Sequence, residues 1–192
     1  MRAGRYPNLC VNSMMGGLTH GLELNTFETA SGLANRLNAQ CQYLAAPIYA
    51  GSPDSRDIIL AQDVFRETFE RIAANDIAVL SIGDLSERSL LVRYGLPRDV
   101  STDELRARGA VGDIMGQFYD ENGLPIDHPL NRRAIALPLD DLSRIPTVVL
   151  TSGGANKTRA VAGALRAKRA SVLVCDEDTA RQAYALLRAK DG

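Results

Sequence analysis

Two short apolar runs, Asp76 to Ile82 and Thr147 to Thr151, constrain this chain more than any other feature, because each stops abruptly at a glycine turn. Gly83-Asp84 closes the first and Ser152-Gly153-Gly154 the second. Uninterrupted apolar runs of this length suit strands buried on both sides, as in a parallel sheet. The segments around them change period. Beyond Gly154, apolar and charged residues alternate at helical spacing to about Lys168. Ser171 to Cys175 is a further strand, and Glu177 opens a last helix. Upstream, Asn8 to Met15 is a mostly apolar strand ended by Gly16-Gly17. Asn25 and Thr26 can cap a helix carrying Phe27, Ala30, Leu33, Ala34 and Leu37 at helical spacing. Tyr43 to Ala46 is another short strand, and Pro47 to Arg56 is a surface loop. Asp57 then starts a long amphipathic helix with Ala61, Val64, Phe65, Thr68, Phe69 and Ile72 on one face. Strands alternating with helices predict an α/β fold, a Rossmann-like and mainly parallel sheet with helices on both faces.

One stretch departs from that rhythm. Ser101-Thr102-Asp103-Glu104 forms a capping box for a short helix ending at Gly109. Gly112 to Tyr119 is strand-like, Asp120-Glu121-Asn122-Gly123 is a turn, and Arg133 to Leu137 reads as the returning strand of a small β excursion around residues 112–137. Leu139 to Arg144 is a short helical segment before Pro146. With 192 residues, 45% of them hydrophobic, the chain is expected to be one domain, 1–192, with a self-sufficient core. A net charge of −1 leaves no basic face for a phosphate backbone, so nucleic acid is not expected to bind this piece. Cys10, Cys41 and Cys175 are odd in number and lack metal spacing. They read as buried reduced thiols, suited to a cytoplasm. No apolar run approaches the roughly 18 residues of a membrane span, and no signal segment opens the chain, so neither insertion nor export is expected.

Ligands of open α/β sheets collect beyond the C-terminal ends of the strands. There the sequence places Gly16-Gly17-Leu18-Thr19-His20, Gly83-Asp84, and Ser152-Gly153-Gly154 with Lys157. A helix opening from Ser-Gly-Gly aims its free N–H groups at one point, which favours an anion. Lys157, in the first turn, opposes the helix dipole, so its charge is better explained by a bound anion, naturally a phosphate. Glycine in a tight βα turn also serves positive φ alone, which leaves an empty turn as the other reading. Asp113 is expected near the same pocket. As an acceptor it suits sugar hydroxyls, or it is satisfied by backbone N–H groups. His20 either donates to an anion or is a solvated loop residue, and His128 reads as a turn residue. Asp176-Glu177-Asp178-Thr179 looks like a metal cluster, but acids at a helix N-terminus cap N–H groups and complement the dipole. Asp140-Asp141 is read the same way. No metal or cofactor is implied.

From Gly112-Asp113-Ile114 through Asp120-Glu121-Asn122-Gly123, at Arg132-Arg133-Ala134-Ile135-Ala136-Leu137, and at Gly153-Gly154-Ala155-Asn156-Lys157, the chain resembles the SorC family of bacterial regulators. The resemblance continues through Gly163-Ala164-Leu165-Arg166 and Val172-Leu173-Val174-Cys175 into Asp176-Glu177-Asp178-Thr179-Ala180. It also reaches back to Met15-Gly16-Gly17-Leu18 and Leu44-Ala45-Ala46-Pro47. It implies a C-terminal effector-binding domain, similar in fold to ribose-5-phosphate isomerase and glucosamine-6-phosphate deaminase, that binds a phosphorylated sugar or polyol and adjusts a regulator's affinity for operator DNA. It further implies that Gly16, Gly17 and Leu18, Asp113 and Lys157 line the ligand pocket, joined by Arg93 from the segment Leu90 to Tyr94, and the helix-opening turn adds Ser152, Gly153 and Gly154. Family regulators carry an N-terminal helix-turn-helix, then a first strand with its own Gly-rich loop, which this chain lacks. DNA binding is therefore expected only through a region absent here, and homo-oligomers are implied.

Two other functions fit the same residues. An aldose–ketose isomerase or sugar-phosphate deaminase of the related fold would use Asp113 and Lys157 as acid and base, yet no set of Glu, His and Asp converges on the rim. An oligomerisation module without a ligand is the other.

Overall fold

Parallel pairing organises the chain much as the apolar runs suggest. The computed structural model describes Tyr6, residues 8–18 and residues 26–189. His20 and Asn25 lie outside the described residues. β1 (Cys10–Asn12) pairs in parallel with β2 (Gln40–Gln42), and between them runs helix α1 (Thr26–Leu37). β3 (Ile77–Ser81), β6 (Thr147–Thr151) and β7 (Val172–Val174) form a second parallel sheet in the order β3-β6-β7. Between β3 and β6 lie the short helices α4 (Leu90–Tyr94) and α5 (Thr102–Ala107) and an antiparallel hairpin of β4 (Gly112–Ile114) and β5 (Gln117–Tyr119). Ser101 Oγ accepts the Glu104 N–H at 3.2 Å, as its capping box requires. The β4–β5 turn is Met115-Gly116, both at positive φ (53° and 73°), which matches the strand twist of a two-residue hairpin.

The tail carries α6 (Thr158–Arg166) and α7 (Glu177–Arg188) after β6 and β7, as the sequence predicts. Every residue from Ala160 to Ala164 in α6 is buried, and its small side chains admit close neighbours on all sides. Tyr119 donates its hydroxyl to the Ala160 carbonyl at 2.9 Å, tying the hairpin to this helix. One core gathers Ile72, Ala78, Leu80, Ile82, Val148, Leu150 and Val161, and a second gathers Ile48, Leu105, Phe118 and Leu130 around the hairpin. Met15 packs against both.

Several boundaries differ from the sequence reading, each for a non-local reason. The second strand lies at Gln40–Gln42 rather than at Tyr43 to Ala46, because β1 fixes the register Cys10 to Gln40. Part of the expected loop from Pro47 to Arg56 is core: Ile48, Tyr49 and Ala50 are buried, and Tyr49 bridges Ala134. The long helix is two, α2 (Pro53–Leu60) and α3 (Asp63–Ala73), broken at Ala61-Gln62; Phe65, Phe69 and Ile72 face the core while Val64 is exposed. Arg133 to Leu137 does not return to the hairpin. Ile135 and Leu137 bond Ile48 and Met14 instead. Leu139–Arg144 is a 3-10 helix, and the three cysteines are half-buried free thiols.

The sheet β3-β6-β7 departs most from burial on both sides. Ala78, Leu80, Val148 and Leu150 face the core, whereas Ile77 (59% exposed), Val79 (64%), Val172 and Val174 stand on an open face. The expected helices cover one face of this sheet, and among the described residues β3 has no strand partner on its outer edge.

Candidate functional site

The C-terminal ends of β3 and β6 lie side by side, Ser81 opposite Thr151, so the turns that follow them share one rim. From the first turn the backbone of Gly83 pairs with Asp113, the middle residue of β4. That pairing lays the Asp113 carboxyl against the Gly83 Cα so closely that a side chain at 83 would overlap it. Asp113 is buried. Its Oδ2 accepts the Gly116 N–H at 3.1 Å, and its Oδ1 has no partner. Burial pushes the carboxyl up to about 7, against the lowering pull of the Gly116 N–H and Lys157 and with a further push from Asp84.

Lys157 ends a 3-10 turn (Ala155–Lys157) and stands at the N-cap of α6. Its Nζ reaches across the rim to the Ile82 carbonyl at 2.9 Å and makes no ion pair among the described residues. Beside it, the Ser152 N–H bonds Val174, and Ser152 Oγ is buried without a partner. Asp113 Oδ1 and Ser152 Oγ are the two buried side-chain oxygens left unsatisfied among the described residues, although about nine in ten buried polar groups in proteins find a partner. Both were singled out by sequence.

Gly153 and Gly154 are occupied from within. The Gly154 N–H donates to Asp176 Oδ2 at 2.8 Å and to Thr179 Oγ1 at 3.0 Å, so a carboxylate of the chain itself sits where the sequence suggests an external anion. Asp176 is also the N-cap of α7, as its acidic cluster implies, and accepts the Thr179 N–H at 2.8 Å. Hydrogen bonds from Thr179 and Gly154 hold it down at about 2.

The first glycine pair joins the same region through backbone. Gly16 and Gly17 donate to Ile135 and Ala46, and Gly17 accepts from Ile48, whose side chain lies against Gly116 beside Asp113. Leu18 lies close to Gly95, just past α4. Arg93, on α4, is exposed and stacks over the Tyr94 ring at 5.0 Å, and no contact joins it to Asp113 or Lys157. Sequence reasoning placed Asp84 on the rim with Gly83 but gave it no part in the pocket, and Asn156 entered only through the family motif. Asp84 is 5% exposed and accepts the Asn156 Nδ2 at 2.8 Å across the rim. His128 is a buried turn residue whose Nδ1 accepts the Leu130 N–H. Among the described residues no group of three or more metal-ligating side chains converges, and no helix is long and apolar enough to cross a membrane.

The arrangement presents hydrogen-bond acceptors and one lysine within a glycine-lined rim, chemistry that suits a polyhydroxylated anion. Over residues 1–185 the chain matches the Sugar-bind family, a sugar-binding domain. It is 28% identical over 185 residues to the erythritol catabolism regulatory protein EryD of Brucella abortus, covering 93% of this chain and 58% of that protein. It is 32% identical over 156 residues to the transcriptional regulator LsrR of Klebsiella pneumoniae, covering 79% and 48%. The chain thus spans about half the length of these curated relatives. In fold it is similar to a DeoR family regulator from Listeria monocytogenes (TM-score 0.84, 23% identity, 95% of this chain and 72% of that one). It is likewise similar to the full-length sorbitol operon regulator SorC of Klebsiella pneumoniae (TM-score 0.82, 24% identity, 96% and 60%).

Proposed function

The chain belongs to the family of sugar-binding domains carried by SorC-type transcriptional regulators, and from that premise we propose that it senses a phosphorylated sugar or polyol and passes the signal to a DNA-binding region outside these residues. The observation that carries the reading is the pair of unsatisfied buried oxygens, Asp113 Oδ1 and Ser152 Oγ, on the rim that Lys157 spans. A ligand hydroxyl supplies the missing donor, and Lys157 supplies the charge for the phosphate. The ligand acts by binding alone, without turnover.

A cognate sugar phosphate at about 100 times its Kd should stabilise the domain by roughly 2.7 kcal/mol. At about 2–4 °C per kcal/mol for this size, the midpoint should rise by roughly 5–10 °C, far more than with the dephosphorylated sugar. Lys157→Met should remove most of that shift and little unliganded stability. Retention of the full shift would make Lys157 a structural residue that holds the Ile82 carbonyl. One observation favours the enzyme reading: the Asp113 carboxyl, near 7, has the proton affinity of a general base. Measured isomerisation of pentose phosphates, or ammonia release from glucosamine-6-phosphate, well above background would establish it.

A further inference from the structure

A cavity of about 260 Å³ opens on the same rim, bounded by the turns after β3 and β6. Asp84 and Asn156 form its polar wall, each one residue along its turn from Gly83 and Lys157, and Leu85 and Val111 form an apolar wall. Asp84 is buried, and among the described residues no cation lies within ion-pair distance of it. The neutral amide of Asn156 is its side-chain partner. A buried carboxylate served by one amide retains acceptor capacity, and ligand hydroxyls are the neutral donors that fill it without adding charge beside Asp113. Arg106 closes one side, donating to the Leu85 carbonyl and to Asp103. Arg159, at the exposed margin, makes no hydrogen bond or ion pair among the described residues. Arg106 is neutralised by Asp103, so among the described residues Arg159 is the unpaired cation at the margin, and the wall behind it accepts hydrogen bonds, an order that suits an anionic polyol with its hydroxyls leading.

Resting on the sugar-phosphate reading, we propose that this cavity takes the polyol portion of the effector, with Asp84 and Asn156 reading its hydroxyls and so setting which sugar is accepted. The apolar wall of Leu85 and Val111 faces the C–H side of the carbon chain. Lys157, next to Asn156 in sequence, keeps the phosphate at the neighbouring position on the rim.

The test is titration calorimetry with erythritol 4-phosphate, ribose 5-phosphate, 2-deoxyribose 5-phosphate, glucitol 6-phosphate and inorganic phosphate, on the native chain and on Asp84→Asn and Asn156→Ala. Asp84→Asn is near-isosteric, and Asn156→Ala, which takes from Asp84 its one side-chain donor, is paired with a thermal melt so that loss of fold is read apart from loss of affinity. The expected result is a loss of about tenfold or more for the best-binding sugar phosphate in both variants, the scale of a charge-assisted hydrogen bond. Discrimination between ribose 5-phosphate and its 2-deoxy analogue should narrow, while inorganic phosphate binds as before. If both variants keep full affinity while Lys157→Met loses it, the cavity assignment is overturned and the sugar-phosphate reading stands. If no sugar phosphate binds the native chain, both fall together.

Discussion

Two carboxyl groups lie against glycine turns at the ends of adjacent strands, and they are opposites. Asp113, against Gly83, is buried with one backbone donor and sits near 7; Asp176, against Gly153-Gly154, is exposed with three donors and sits near 2. Burial without donors favours the protonated acid, and donors without burial favour the anion. Proximity to glycine is thus no sign of an anion site by itself. Gly153-Gly154 is a latch that the chain closes on itself, whereas the turn at Gly83 shelters a buried carboxyl with spare acceptor capacity.

The contrast is sharpest in pH dependence. Because the folded state holds the Asp113 proton more tightly than the unfolded chain, its contribution is present below about pH 4 and is lost as pH rises to about 7, on the order of 4 kcal/mol in all. Asp113→Asn should flatten that limb and be the more stable protein at pH 8 in denaturant titrations; parallel profiles for the two proteins would break the contrast. Next in size, Gly83→Ala should cost about 2–3 kcal/mol, since its methyl meets the Asp113 carboxyl, lowering the thermal midpoint by several degrees. Gly154→Ala should cost about 1–3 kcal/mol, chiefly through its φ of 106° and with its methyl also pressing on the Asn156 Oδ1. Smallest of all, Asp176→Asn should lower neutral-pH stability modestly, because the carboxylate it replaces is exposed and screened by solvent. It should also remove a contribution that in the native chain is present above the unfolded carboxylate value and fades as pH falls toward 2, the reverse of the Asp113 limb.

What the sequence disclosed was local. β6, α6, β7 and α7 follow from periodicity and caps, and Asp176 as a helix cap follows from its position. Family resemblance brought Asp113 and Lys157 together. The pairing of Asp113 with Gly83 depends on a backbone bridge between residues 30 apart, and no periodicity encodes it. The same holds for Ile48 and Tyr49, whose burial is imposed by Ala134 and Ile135. Asp84 was placed on the rim as the residue after Gly83, but its burial and its bond to Asn156 arise only when β3 and β6 become neighbours. The internal occupant of Gly153-Gly154 was missed for a related reason: each partner's local role was legible, but not that one carboxylate serves both.

The bare edge of β3 has a bearing on handling. Ile77 and Val79 project from a strand whose outer N–H and C=O groups meet no neighbouring strand among the described residues, the template on which edge-to-edge aggregation grows. Concentration, more than temperature, should then govern how long a preparation of these residues stays monodisperse. A lysine in place of Val79 should extend that lifetime without touching the rim. Inside a cell, chaperones that scan for exposed apolar strand would register this face as folding not yet finished until another segment covers it.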